Sequence, residues 1–240
     1  MSTLILVRHG QASFGASNYD KLSEKGIAQS MALAEYWVRN GLALDAAFSG
    51  AQERQNRTME IVRELCLQEG LPFPEPEIRP AFNEYDADGI MRLFIPRLLD
   101  EHPELAELID RISLQGYGST EGRKAFQEAF GIVMGHWLTE GDALEGVETW
   151  DHFRTRVVKG IEAIRAEYGT GKAVAVFTSG GPVAAVLQYA LQISDRLALD
   201  LGWVIKNGSL TEFRFTGDRF TLFGFNMTPH YLDESLITYR

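Results

Sequence analysis

The sequence predicts an α/β fold: a three-layer sandwich whose mostly parallel central sheet is flanked by helices and carries an antiparallel hairpin at its edge. Three observations carry that reading. Leu4-Ile5-Leu6-Val7 and Ala173 to Thr178 are short, continuous apolar runs, partly β-branched, as in strands buried on both faces of a parallel sheet. Between them apolar residues recur at helical spacing. Near the end, Ser209 to Thr216 and Phe220 to Phe225 alternate around Gly217-Asp218, with Asn207-Gly208 before them, as hairpin strands do.

At 240 residues the chain suffices for one large α/β domain with a substantial core and room for an insertion. A formal net charge of -10 argues against a non-specific nucleic-acid binder, which is normally basic. A small phosphorylated ligand stays compatible, because Arg and His can cluster locally in an acidic protein. Cys66 is the only cysteine, so no intramolecular disulfide can form and a reducing, cytoplasmic location is expected. Neither a signal peptide nor a membrane span of roughly 18 apolar residues is expected. Pro72 to Pro80 and Gly116 to Gly122 read as loops.

Taken in order, the first strand runs into Arg8-His9-Gly10. A cation suits a buried strand only where the strand ends, and open α/β sheets hold ligands at that end. Gly10 lets the backbone turn and approach a ligand closely. Arg8 can neutralise and orient an anion while neutral His9 attacks phosphorus. The residues alone equally fit a strand end whose polar pair simply meets water. Gln11 to Lys21 reads as a loop in which Ser13, Asn18 and backbone amides can donate to an anion, although Asn18 and Asp20 also read as plain turn residues. Ser23 caps a helix whose core stripe is expected at Ile27, Met31, Ala34 and Val38, with Trp37 beside it.

Leu44 to Ser49 is the second strand. It leads into a helix bearing Thr58, Ile61, Val62 and Leu65, with Arg54 in the first turn. A cation there opposes the helix dipole, and a bound anion would compensate it. Arg57 and Arg63 read as solvated. Glu77 to Phe82 is a weaker third strand ending in Asn83-Glu84-Tyr85-Asp86, where Glu84 is a candidate general acid if partial burial raises its pKa; Asp86 and Asp88 compete with it. From about Ile90 to Leu144 the pattern is helical, with Pro103 in a first turn and Thr120 before the stripe Phe126, Phe130, Val133 and Trp137. His102 and His136 lie here without a second ligand at metal spacing and read as surface or core residues. Thr149 caps a helix bearing Phe153, Val157, Ile161 and Ile164, with Glu148 just before the cap. After Ala173 to Thr178, Ser179-Gly180-Gly181-Pro182 opens an apolar helix with bare amides and a hydroxyl aimed at an anion. A serine-hydrolase elbow requires Gly-x-Ser-x-Gly, and Phe177 occupies the first glycine position.

Arg8-His9-Gly10, Arg54 with Thr58, Glu84 and the Ser179-Gly180-Gly181 turn, in this order, resemble the histidine phosphatase superfamily, which includes phosphoglycerate mutase-like enzymes. Leu22-Ser23-Glu24-Lys25-Gly26 with Gln29, Gly146 to Thr149, and Asn226 to Leu232 with His230 are similar to further family segments. The resemblance spans nearly the whole chain. It implies a single domain over 1–240, with a helical insertion at about residues 88–145 covering the active site. It also implies a cofactor-free and metal-free phosphoryl transfer: His9 becomes phosphohistidine, Glu84 protonates the leaving oxygen, Arg8 and Arg54 hold the phosphoryl oxygens with Ser179 and Gly180, and water releases phosphate. One departure stands out. The family usually has a second histidine where this chain has Ser179, and losing one such donor costs about 10²- to 10³-fold in rate. The chain is then a slow phosphatase, a phosphatase that recruits His230 or Ser13 as an accessory, or a weakened phospho-ligand binder. Mutases carry an Arg-x-Tyr-Gly stretch after the acid; here Tyr85-Asp86-Ala87-Asp88-Gly89 would repel a sugar-acid carboxylate, which favours hydrolysis of another small phosphorylated metabolite over mutase chemistry. Homodimerisation stays open.

Overall fold

The computed structural model describes residues 1–13, 20–140 and 146–239. Asn18, a candidate donor in the first loop, lies outside them. A six-stranded sheet has the order β3-β2-β4-β1-β5-β6, built from β1 (Ser2–Arg8), β2 (Ala46–Ser49), β3 (Glu77–Ile78), β4 (Ala173–Thr178), β5 (Leu210–Phe215) and β6 (Phe220–Met227). β1 pairs parallel with β4, Ile5 opposite Ala175 and Arg8 opposite Thr178. β2 lies parallel to β4 and β3, and the β5–β6 hairpin joins β1 antiparallel. The α/β class expected from the two apolar runs is the one observed.

Contacts divide the chain into two compact units, one of residues 1–84 with 154–240 and one of 85–153. In the first, Ile5, Val7, Ala47, Ala175 and Phe177 point to one side of the sheet and pack with Leu33, Trp37, Val62 and Cys66 of α1 (Glu24–Arg39) and α2 (Glu53–Gln68). Period two sends Leu4, Leu6, Val174 and Val176, all buried, to the other side. α7 (Gly180–Leu191) contacts β1, β6 and α8 (Asp195–Val204).

Three sequence expectations shift. Ser23 does cap α1, accepting from the Gly26 amide, but the buried face is Gly26, Gln29, Ser30, Leu33, Ala34 and Trp37, while Ile27 and Met31 are exposed. The apolar stripe misleads because Gln29 is buried for its hydrogen bonds: its side chain accepts from the Gln11 amide at 2.7 Å and donates to the Leu236 carbonyl and the Thr238 hydroxyl. The third strand stops at Ile78 because Pro80, without an N–H, opens a 3₁₀ turn over Pro80–Phe82. Pro182 is the third residue of α7 and not the first, still within the turn where a missing N–H costs nothing. α8 lies beyond the sequence expectations; Ser194 caps it through the Leu197 amide.

The second unit is helical, as its sequence predicts. It holds α3 (Ala87–Leu98), α4 (Glu104–Gln115), α5 (Thr120–Thr139) and the start of α6 (Trp150–Glu167). Asp86 caps α3 through the Gly89 amide, Ser119 caps α5 through the Gly122 amide, and the Thr149 hydroxyl accepts from the His152 amide at the start of α6. Tyr85, Trp137, Trp150 and Phe153 interlock edge-on or tilted, with ring centroids 4.9 to 6.3 Å apart. Among the described residues no helix is long and apolar enough to cross a membrane.

Candidate active site

β1 delivers His9 to the carboxyl end of the sheet, where its amide continues the ladder by donating to the Thr178 carbonyl at 2.8 Å. The next residue has to be glycine: a Cβ on Gly10 would lie 2.4 Å from the Gly26 carbonyl oxygen. The Gly10 amide donates to the Thr58 hydroxyl at 3.0 Å, and that hydroxyl donates to the Arg54 carbonyl at 2.8 Å. Thr58 therefore ties the His9 turn to the helix that carries Arg54.

The His9 side chain is 4% exposed. Its Nδ1 lies 2.7 Å from the Gly10 carbonyl and its Nε2 lies 3.1 Å from Nε of Arg54. A carbonyl only accepts and a guanidinium only donates, so Nδ1 carries the proton and Nε2 presents its lone pair. Burial, then the charges of Arg54 and Arg8, hold the imidazole pKa well below its ordinary value, against the smaller opposing effect of the Gly10 bond. The ring is thus neutral, with its lone pair on Nε2.

Arg54 is 6% exposed in the first turn of α2. The anion that the helix dipole calls for is supplied from within the chain: Asp20 Oδ1 takes Nη1 of Arg54 at 2.5 Å, and its Oδ2 accepts from the Glu53 amide at 2.7 Å. Gln52, the residue before α2, makes no side-chain cap. Its Oε1 instead accepts from Nη2 of Arg54 at 3.2 Å and from the Glu84 amide at 2.9 Å. Glu84 turns its carboxylate to the start of α7, where Oε2 accepts from the Gly181 amide at 2.9 Å. Arg8 directs Nη1 to the backbone carbonyls of Ile205 and, at 2.9 Å, Tyr239. Gly180 lies beside its guanidinium: a Cβ there would sit 3.8 Å from Nε of Arg8.

Ser179 is fully buried, and its hydroxyl oxygen accepts from the side-chain amide Nε2 of Gln55 at 2.8 Å. His230 is buried between Tyr36 and Tyr231, with ring centroids at 6.2 and 4.3 Å, and neither ring nitrogen has a hydrogen-bond partner. Ser13 donates its backbone amide to the Lys21 carbonyl, closing the base of the first loop. The structure thus brings His9, Arg54 and Glu84 into one network through Gln52, while His230 packs against Tyr36 and Tyr231.

Asp20, Gln52 and Gln55 escape the sequence reading. Asp20 looks like a turn residue because its partner lies 34 positions away, and the glutamines carry no motif. Asp86, read as a competing acid, is the α3 cap. His102 and His136 meet unexpectedly, Nε2 to Nε2 at 3.0 Å, with Glu104 on Nδ1 of His102 at 2.9 Å. Among the described residues no group of three or more His, Cys, Asp or Glu side chains is arranged to hold a metal ion.

A neutral imidazole thus lies beside a guanidinium at the carboxyl end of an open α/β sheet, the end at which such sheets hold their ligands. Comparison with known proteins makes this specific: residues 4–111 and 97–228 match the model of the histidine phosphatase superfamily (branch 1). The chain belongs to that superfamily. It is 32% identical over 89 residues to a 2,3-bisphosphoglycerate-dependent phosphoglycerate mutase of Rhodopseudomonas palustris, and 31% over 90 residues to that of Bartonella quintana. Each match covers 35% of this chain and 42% of the relative, so the chain spans under half the length of these curated relatives. Among solved structures the fold is similar to Entamoeba histolytica phosphoserine phosphatase in complex with 3-phosphoglyceric acid (TM-score 0.64, 17% identity, 97% of this chain and all of that one). It is also similar to Bacillus stearothermophilus YhfR (TM-score 0.63, 17% identity, 96% and 99% covered) and to a mycobacterial glucosyl-3-phosphoglycerate phosphatase (TM-score 0.60, 18% identity, 94% and 99% covered).

Proposed function

We propose that the chain is a phosphomonoesterase that hydrolyses a small phosphorylated metabolite through a phosphohistidine on His9. The observation that carries this reading is the fixed tautomer of His9: Nδ1 is spent on Gly10, so the only lone pair is on Nε2, where Arg54 waits. An incoming phosphoryl group competes for that guanidinium. As Arg54 turns from Nε2 to the phosphoryl oxygens, the lone pair is released beside phosphorus, so binding and activation of the nucleophile become one event.

The Nε2–P bond then forms as the P–O bond to the leaving group breaks, and Glu84 gives its proton to the departing oxygen. In the second half water attacks phosphorus, Glu84 takes the water's proton, and the N–P bond breaks to restore neutral His9 and free phosphate. Arg8, Arg54 and the first amides of α7 at Gly180 hold the oxygens. Ser179 receives the Gln55 amide on its oxygen, which leaves its hydroxyl hydrogen as the group it has to give.

Mutase chemistry is the second reading, favoured by the names of the curated relatives. It requires a site for a phosphoglycerate carboxylate, and the stretch after Glu84 offers Asp86 and Asp88 instead.

The test is turnover of p-nitrophenyl phosphate in EDTA across about pH 5 to 8, with conversion of 3-phosphoglycerate assayed alongside. Hydrolysis that vanishes in His9→Ala, with label from the substrate trapped on His9 of the native chain, is expected. Hydrolysis that survives in His9→Ala sinks the phosphohistidine. Efficient phosphoglycerate isomerisation replaces the phosphatase reading by the mutase one.

A further inference from the structure

Gln55 follows Arg54 on α2, is completely buried, and enters the mechanism above only through its bond to the Ser179 oxygen. Its Nε2 donates twice, to the Phe82 carbonyl at 3.1 Å and to the Ser179 hydroxyl at 2.8 Å. The orientation is forced: a carbonyl cannot donate, so the amide nitrogen has to face Phe82. Its Oε1 is then left buried without a hydrogen-bond partner, pressed so closely on Gly50 that a Cβ there would lie 2.0 Å away. A buried, unpaired amide oxygen costs stability that Met or Leu of similar bulk would not. Glutamine at this position therefore carries a penalty that only its two donated bonds offset.

Those bonds converge on the segment leading to Glu84. The Phe82 carbonyl accepts from Gln55 and also from the Thr178 hydroxyl at 2.7 Å. Two residues on, the Glu84 amide is held by Gln52, and between them the Asn83 side chain accepts from the Ala51 amide at 2.6 Å. The N-terminal end of α2, which presents Arg54 to His9, thus also clamps the backbone that presents Glu84 to α7. Ser179, where the family resemblance implies an imidazole, is a member of the clamp through the Gln55 amide.

We propose that Gln55 is a positioning residue for the general acid: it locks the Phe82–Glu84 backbone to the end of α2 that carries Arg54. The proposal rests on the phosphatase reading of Glu84. A general acid matters in proportion to the basicity of the leaving oxygen, so its misplacement has a signature that loosened packing lacks. Gln55→Met keeps the bulk and removes both donors. With kcat/KM, which reports phosphoryl transfer to His9, the variant is expected to lose about 10- to 100-fold on an alkyl phosphate. On p-nitrophenyl phosphate, whose leaving group needs little protonation, it should stay within about threefold, with KM unchanged. Glu84→Gln sets the reference pattern, and Thr178→Val, which removes the other donor to the same carbonyl, is expected to repeat it more weakly and serves where Gln55→Met does not fold. Equal losses on the two substrates in the folded Gln55 or Thr178 variants, or no loss on either, overturn the inference while a selective Glu84→Gln leaves the phosphatase reading standing. No turnover by the native chain, or a Glu84→Gln variant that loses both substrates alike, overturns the reading of Glu84 and the inference with it.

Discussion

The end of β1 and the C-terminal tail each bury a histidine, and the two rings are set among different partners. His9 and His230 are 4% and 5% exposed. Burial is the first cause of a lowered pKa at both, to about 4 for His230. They differ in their polar partners. His9 has one nitrogen on a carbonyl and the other on a guanidinium, which fixes tautomer, ring plane and the direction of the free pair. His230 has two tyrosine rings, with the Gly208 backbone as a weak polar neighbour that opposes the lowering of its pKa. Desolvation makes an imidazole neutral; only directed partners make one particular nitrogen a nucleophile.

The largest expected effect tests that contrast in activity. His9→Gln should lower kcat/KM for p-nitrophenyl phosphate by at least about 10³-fold, the scale of losing a covalent nucleophile. His230→Phe, which keeps a ring against Tyr36 and Tyr231, should stay within about threefold, since the ring nitrogens make no hydrogen bond to His9, Arg54 or Glu84. A folded His230→Phe variant as inactive as His9→Gln would break the comparison and return His230 to the site.

The same two rings set an intermediate effect on stability. In the unfolded chain each titrates near pH 6.5; in the folded chain each takes its proton only at lower pH. Between those values the unfolded state binds more protons, so stability rises with pH there, is complete above about 6.5, and is lost on acidification. For His230 the drop from 6.5 to about 4 bounds the loss at on the order of 3 kcal/mol. Urea midpoints for the native chain should fall between pH about 6.5 and 4.5, and His230→Phe should flatten that slope. An unchanged slope in His230→Phe would mean that the ring is charged in its pocket.

What the sequence discloses follows the same division. The ends of β1 and β4 were legible because a buried strand announces itself as an apolar run, and any charged or glycine residue after it must lie at the carboxyl edge. Arg8, His9 and Ser179 needed no tertiary knowledge to be placed there. The burial of Gln29 and the roles of Gln52 and Gln55 were illegible because an amide inside a fold is justified by partners distant in sequence, the Leu236 and Phe82 carbonyls among them. The α1 stripe failed for that reason: periodicity counts Gln29 as solvent-facing, and hydrogen bonds bury it. His102 and His136 show the limit in the helical unit, where two residues 34 apart touch across helices that propensity can predict but not pair.

The smallest effect concerns the carboxylate that already sits on Arg54. Asp20 serves the start of α2 with one oxygen and Arg54 with the other, and its side chain is 34% exposed beside an Arg54 side chain that is 8% exposed. A phosphoryl group that recruits Arg54 must displace that carboxylate or share the cation with it. Asp20→Asn keeps an oxygen for the Glu53 amide and removes the competing charge, so KM for p-nitrophenyl phosphate should fall a few-fold, with stability changed by no more than about 1 kcal/mol. Asp20→Ala removes the cap as well and should cost about 1 kcal/mol more for a similar KM. If KM rises in Asp20→Asn, the carboxylate aims the guanidinium and does not compete for it. Arg54 would then be held in place before substrate arrives, as His9 is, and the activation of Nε2 would rest on a fixed cation, not on one that the phosphate draws away.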